Sequence, residues 1–204
     1  MYIVIEGQDG AGKSTQVRLL RLYYEKQGRE VAIVDEPDGD LPQAHELHDL
    51  ILVKGKEYDL EPMTNLLLFT AARMELWQKV IEPTLWRGGV VISARNWWST
   101  LAYQSFGEGI PFSKVIALTK EVLPRRYIYP TRGVILAVSD TTRKTRQDLR
   151  GKEAETFEVK ADDFQKRVND AYLEIARRFK IPIIDASGSI DEVSQKILQI
   201  LEET

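Results

Sequence analysis

The sequence predicts an α/β domain built on a mainly parallel sheet, and three observations carry that expectation. Short β-rich runs alternate with longer helical patterns along the chain, the order that arises when strands are joined by crossover helices. Val90–Ile92 and Ile183–Ile184 are continuous apolar runs, as in strands covered on both faces. The first apolar run leads through a glycine-rich loop straight into a helical pattern. With 204 residues, the chain fits one compact domain spanning 1–204.

Taken in order, the strands are expected at Tyr2–Ile5, Val31–Val34, Val90–Ser93, Gly133–Val138 and Pro182–Ile184. Helical periodicity fills the gaps at Lys13–Gln27, Pro42–Val53, Glu61–Trp86, Trp98–Phe106, Ser113–Val122, Thr141–Leu149, Ala161–Phe179 and Ile190–Glu203. Local punctuation supports these spans. Gly28 follows the first helix, Gly88-Gly89 follow the third, and Ser189 with Glu192 has capping-box spacing before the last. Pro62 suits a first turn, where a missing N–H costs little, whereas Pro83 should end or kink the long third helix. There is no internal repeat and no low-complexity segment.

Composition removes several classes of function. Lys plus Arg is 28 and Asp plus Glu is 31, a formal charge of −3, which argues against non-specific binding to nucleic acid or membrane. Zero cysteines exclude disulfides, thiolate metal sites and a cysteine nucleophile. The two histidines, His45 and His48, read as a solvated helix face rather than as metal ligands. No apolar run approaches the ~18 residues of a spanning helix. The N-terminus enters a strand with no basic segment before it, so no signal peptide is expected and the location is expected to be cytoplasmic.

Gly7-Gln8-Asp9-Gly10-Ala11-Gly12-Lys13-Ser14 matches G-x-x-x-x-G-K-[ST] in full, between a strand and a helix. Glycines let successive N–H groups turn inward around phosphate oxygens, and the following helix adds its positive end. Gly7 to Ser14 and Thr15 are thus expected to cradle ATP, with Lys13 on the β- and γ-phosphates and the Ser14 hydroxyl on Mg2+. Such a loop serves kinases, GTPases, motors and transport ATPases alike. No Asn-Lys-x-Asp follows a strand, which disfavours a guanine reader.

Further motifs narrow the class. Phe69 and Arg73 are i,i+4 on one helix face, as are Thr100 and Gln104, with Tyr103 beside them. Phe69 alone fits core packing, but Arg73 in an apolar stretch requires a partner. Glu36-Pro37 follows the second strand, Ala94-Arg95 ends the third, and Arg143, Arg146 and Arg150 precede Phe157, Phe164 and Tyr172. In this order and spacing the motifs resemble the thymidylate kinase family over essentially the whole chain.

The resemblance implies a P-loop fold with five parallel strands in the order 2-3-1-4-5, a lid over about 143–158, and usually a homodimer. It implies phosphorylation of dTMP by ATP with Mg2+. Phe69 would stack on thymine, Arg73 would donate to its O4, and Thr100 and Gln104 would lie near the base edge. Tyr103 would pack under the deoxyribose and Asp9 would meet its 3′-hydroxyl, with Glu36 and Pro37 forming the neighbouring turn. Arg95 would hold the acceptor phosphate, Arg146 would lie against adenine, and Arg150 would neutralise charge on the moving phosphoryl group. Lys13, Arg95 and Arg150 are the catalytic candidates.

Two positions depart from the family pattern. Ala94 replaces the aspartate of an Asp-Arg pair, and Thr156 replaces the arginine of the Asp-Arg-hydrophobic-Glu lid, here Glu155-Thr156-Phe157-Glu158. The first removes a carboxylate expected to support Mg2+, and Asp9 or Glu36 is expected to substitute through water. On these departures a related deoxynucleotide or deoxynucleoside kinase stays open, as does a catalytically weak nucleotide-binding homologue.

Overall fold

A computed structural model of the chain describes residues 1–37, 41–150, 157 and 160–202, with the side chains of Lys56 and of residues 147–150 outside that description. Strands β1 (Tyr2–Gly7), β2 (Val31–Asp35), β3 (Val90–Ala94), β4 (Arg132–Ala137) and β5 (Ile183–Asp185) form one sheet. Its order is β2-β3-β1-β4-β5, and every paired neighbour runs parallel. The described helices are α1 (Lys13–Lys26), α2 (Pro42–His48), α3 (Gly55–Tyr58), α4 (Pro62–Leu76), α5 (Glu82–Trp86), α6 (Trp97–Thr100), α7 (Phe112–Val122), α8 (Arg125–Ile128), α9 (Asp140–Arg150), α10 (Asp162–Phe179) and α11 (Ile190–Glu202).

Period-2 alternation divides the strands between two cores. Ile3 and Ile5 of β1, Val90, Ile92 and Ala94 of β3, and Val134 and Leu136 of β4 join Val17 and Leu20 of α1 and Val193 and Ile197 of α11 in one core. Tyr2, Val4, Val91 and Ile135 face the other way, onto Leu66, Phe69 and Leu76 of α4, Trp97 and Trp98 of α6, and Phe164, Val168 and Tyr172 of α10. Burying each large apolar side chain contributes about 1.5–3 kcal/mol, so both faces hold the sheet. Gly7 lets β1 lie against β4: its φ is +135°, and a Cβ there would collide with the Leu136 carbonyl oxygen.

The sequence reading differs from the structure at three helices. The expected span Pro42–Val53 is α2 followed by a π-helical stretch, Asp49–Val53. Glu61–Trp86 is α4, a π-helical stretch at Trp77–Ile81, and α5. Trp98–Phe106 is α6 running into π-helical Leu101–Gly107. Pro83 sits in the first turn of α5, so the missing N–H is absorbed where the ladder has already widened. Periodicity does not register one extra residue per turn. The short α3 and the short α8, opened by Pro124, have no counterpart in the sequence reading.

Candidate active site

The site lies at the carboxyl ends of β1, β2 and β3, around the point where strand order diverges from β1. Gly10 and Gly12 take φ of +81° and +94°, conformations that let the loop turn before α1. The Lys13 ammonium is buried and donates to the Gly7 and Gln8 carbonyls, both at 2.8 Å. Burial, then the nearby Arg95 guanidinium, lower its pKa to about 8, against the pull of Asp9, Glu6 and Asp35. Ser14 is exposed at the start of α1. Arg146 reaches back from α9 to the carbonyls of Gly10 at 3.4 Å and Ala186 at 2.9 Å.

Arg73 is 2% exposed, and its three partners come from the end of β2 and from the two ends of α6. Nε donates to Glu36 Oε2 at 2.9 Å, one Nη to Thr100 Oγ1 at 2.7 Å, and the other to the Asn96 carbonyl at 3.0 Å. Its Cζ lies 5.4 Å from the centre of the Phe69 ring, the face-sharing that i,i+4 spacing predicts. Glu36 also accepts from the Tyr127 hydroxyl at 2.6 Å and is joined to Pro37 by a cis peptide bond. Burial pushes the Glu36 carboxyl up to about 7, with Arg73 and Tyr127 drawing it down. These bonds tie up the Glu36 carboxylate on the α4 face of the sheet.

Gln104 is buried, and its Nε2 donates to Glu108 Oε2 at 3.2 Å. Asn65 and Lys160 also donate to Glu108, at 3.0 and 3.4 Å. An ionised carboxylate only accepts, so the amide nitrogen faces Glu108 and the Gln104 carbonyl oxygen faces away from it. Burial raises the Glu108 pKa, and the donors from Gln104, Lys160 and Asn65 work against that rise.

Arg95, Asp9 and Tyr103 form a second cluster. The Arg95 guanidinium pairs with Asp9 Oδ1 and donates to the Gly7 carbonyl at 3.3 Å. The Tyr103 hydroxyl donates to the other Asp9 oxygen at 2.8 Å. Asp9, a carboxylate inside a phosphate loop, is thus offset by Arg95 and by Lys13 at 3.9 Å. Arg95 has φ of +76°, a left-handed conformation that costs on the order of 1 kcal/mol in a non-glycine residue and clusters at functional sites. Ser93 Oγ supports it by donating to the Arg95 carbonyl at 2.7 Å.

Several contributors, Glu6, Gln165 and the contacts of Phe157 and Tyr172 among them, were given no role from sequence. Glu6 is fully buried and accepts from the Asn96 and Ser99 amides at 2.8 and 3.0 Å, the Ser99 hydroxyl at 2.8 Å and the Tyr172 hydroxyl at 3.1 Å. It therefore fixes the start of α6, which carries Thr100. A carboxylate within the apolar run Tyr2–Ile5 and Glu6 was the available signal, since burial demands partners. Phe157 lies 6.0 Å from Phe69 and 5.7 Å from Tyr103, centre to centre. Gln165 donates to its carbonyl at 2.5 Å, and Gln8 of the phosphate loop donates to the Gln165 carbonyl at 3.1 Å. This links the loop to the segment after α9. The Arg150 side chain, Thr156, Glu155 and Glu158 lie outside the described residues. The ligand atoms of His45, His48 and Asp49 lie within 4.8 Å of one another, on α2 and at the start of the π-helical stretch that follows it.

A parallel sheet of this order, with a phosphate loop after its central strand, defines a P-loop nucleotide-binding fold. The family model described as thymidylate kinase matches residues 5–197. A thymidylate kinase of Caulobacter vibrioides is 38% identical over 98% of this chain and 95% of its own length. One of Kosmotoga olearia is 34% identical over 98% and 94%. The crystal structure of thymidylate kinase from Ehrlichia chaffeensis superposes with a TM-score of 0.77 at 28% identity, covering 99% of this chain and 98% of that one. The chain belongs to the thymidylate kinase family.

Proposed function

We propose that the chain transfers the γ-phosphoryl group of ATP to the 5′-phosphate of dTMP, giving dTDP and ADP. The observation that carries this reading is the buried pair over one helix face: Arg73, held from three sides, lies against the Phe69 ring. Thymine stacks on Phe69, and base–aromatic stacking is worth about 1–3 kcal/mol. Arg73 offers N–H to O4, and the Gln104 carbonyl oxygen, turned from Glu108, accepts from N3–H. Cytosine presents the opposite pattern at both positions, so it leaves these buried groups unpaired.

Tyr103 and Asp9 meet the deoxyribose, and Arg95 meets the acceptor phosphate with the planar fork suited to it. Lys13 leaves the loop carbonyls for the phosphates of ATP, Arg146 lies against adenine, and Arg150 neutralises charge in the transition state. Alignment and cations supply most of the catalysis in such a transfer. The oxygen donors present fit Mg2+: the exposed Ser14 hydroxyl faces solvent at the start of α1, and carboxylates act on neighbouring Lys13. When bound, the ion neutralises phosphate charge.

The same reading takes 1–204 as one domain with a lid over about 143–158, a homodimer, and a cytoplasmic location. No helix among the described residues is long and apolar enough to cross a membrane. The direct test is a coupled assay of ADP release. ADP should form with ATP, Mg2+ and dTMP together, and omitting dTMP should remove it. ADP formed equally without an acceptor would mark a hydrolase instead, and nucleotide binding without dTDP at any Mg2+ level a regulator.

A further inference from the structure

The family's aspartate after β3 is Ala94 here, and the neighbouring strand carries a carboxylate across from it. Asp9 is paired with Arg95 and Tyr103. Glu36 is buried on the α4 face and bonded to Arg73 and Tyr127. Both carboxylates already serve the acceptor side. Asp35, by contrast, ends β2 directly across from Ala94 in the parallel register. Paired residues on adjacent strands point to the same face, and strands lie about 4.8 Å apart. That face is the one covered by α1: Val31 and Ile33, of the same parity as Asp35, pack into its core, as does Ala94. Asp35 is solvent-exposed, and its charge acts on Lys13, the residue before Ser14.

We propose that Asp35 replaces the carboxylate missing at Ala94, holding the water shell of the Mg2+ that accompanies ATP. The proposal rests on the kinase reading above. Mg2+ keeps several of its waters and needs few protein groups. A carboxylate one strand removed can therefore accept from a metal-bound water without touching the ion. Position 94 then needs only a small residue, and the methyl group of Ala94 leaves room for that water. The negative charge has moved one strand along the edge of the sheet and has stayed on the face where α1 presents Ser14.

The test is calorimetry of ADP binding with and without Mg2+, in the full chain. Asp35→Asn is isosteric and exposed, so the thermal midpoint should stay near that of the unmodified protein. It should not weaken metal-free ADP binding and should remove about 10–100-fold of the tightening that Mg2+ confers, the usual size of such outer contacts. Adding Ala94→Asp to Asp35→Asn should restore the Mg2+ effect, because the carboxylate returns to the same face across the register. An unchanged Mg2+ effect in Asp35→Asn overturns the proposal. A loss that Ala94→Asp fails to restore overturns the cross-strand replacement. The kinase reading fails separately, if the unmodified protein binds no ADP or makes no dTDP.

Discussion

The two faces of the sheet are built from different chemistry. Beneath α1 and α11 the core is almost wholly aliphatic, and the functional groups at its edge are loop carbonyls, Lys13 and an exposed serine. Beneath α4, α6 and α10 the core is rich in rings and holds a buried polar network of Glu6, Glu36, Arg73, Asn96, Ser99 and Thr100, with Gln104 buried separately against Glu108. Phosphate is the same in every nucleotide, so backbone and one cation can serve it. A base must be told from other bases, and that requires side chains fixed in one orientation. The cost of burying them is offset only when each has its partner. On the proposed function, donor binding falls to the first face and acceptor choice to the second.

The largest effect should come from breaking the network on the acceptor face. Glu6→Ala leaves the Asn96 amide buried without its acceptor and removes the carboxylate shared by Ser99 and Tyr172, and should lower unfolding free energy by about 2–4 kcal/mol. Urea titration measures this. A loss below about 0.5 kcal/mol, the size of an ordinary surface change, would mean that the network does not organise α6. Arg150→Ala should lower kcat by ~10²-fold or more while KM for dTMP changes little, the pattern of a contact made in the transition state. An effect confined to KM would move Arg150 to the acceptor face.

Glu108→Gln sharpens the comparison further. A neutral amide can donate as well as accept, so the Gln104 amide is no longer held in one orientation. The preference for dTMP over dCMP should fall about 10-fold, within the ~1–3 kcal/mol range of small changes in a recognition pocket, while KM for ATP stays constant. Equal losses for both acceptors would assign Glu108 a packing role.

Two smaller effects depend on pH. Glu36 is raised from 4.5 to about 7, so between those values the folded state holds a proton that the unfolded chain has released. The stability contributed by this group is complete below pH 4.5 and is lost as pH rises through 7, and Glu36→Gln should flatten that part of the Tm profile. Lys13, lowered to about 8, should take up about half a proton when nucleotide phosphate arrives at pH 8, and little at pH 7. Calorimetry of ADP binding in buffers of different ionisation enthalpy reads this, and Lys13→Ala should abolish it.

What was legible in the sequence follows the same division. The phosphate loop works through backbone within eight consecutive positions, so its pattern and its conformation coincide at Gly7 to Ser14. Phe69 with Arg73 was legible because one helical turn brings the pair together, whereas Thr100 bonds Arg73 and Gln104 bonds Glu108, and the helix widens between them. The partners of Arg73 were not legible: Glu36 and Asn96 arrive from other strand ends, and only the need for a partner could be inferred. Glu6 joins residues 90 to 166 positions away, and Asp35 meets Ala94 through sheet register. Neither relation leaves a local spacing to read.

The most direct test of the central claim, that the buried face chooses the base while the loop face handles phosphate generically, is acceptor selectivity of the unmodified protein. With ATP and Mg2+ fixed, kcat/KM would be measured for dTMP, dUMP, dCMP and dGMP. The account predicts dTMP first, dUMP reduced by the ~1–3 kcal/mol of one methyl contact, and dCMP and dGMP lower still because they leave buried donors and acceptors unpaired. Turnover of dCMP or dGMP as efficient as that of dTMP would contradict it.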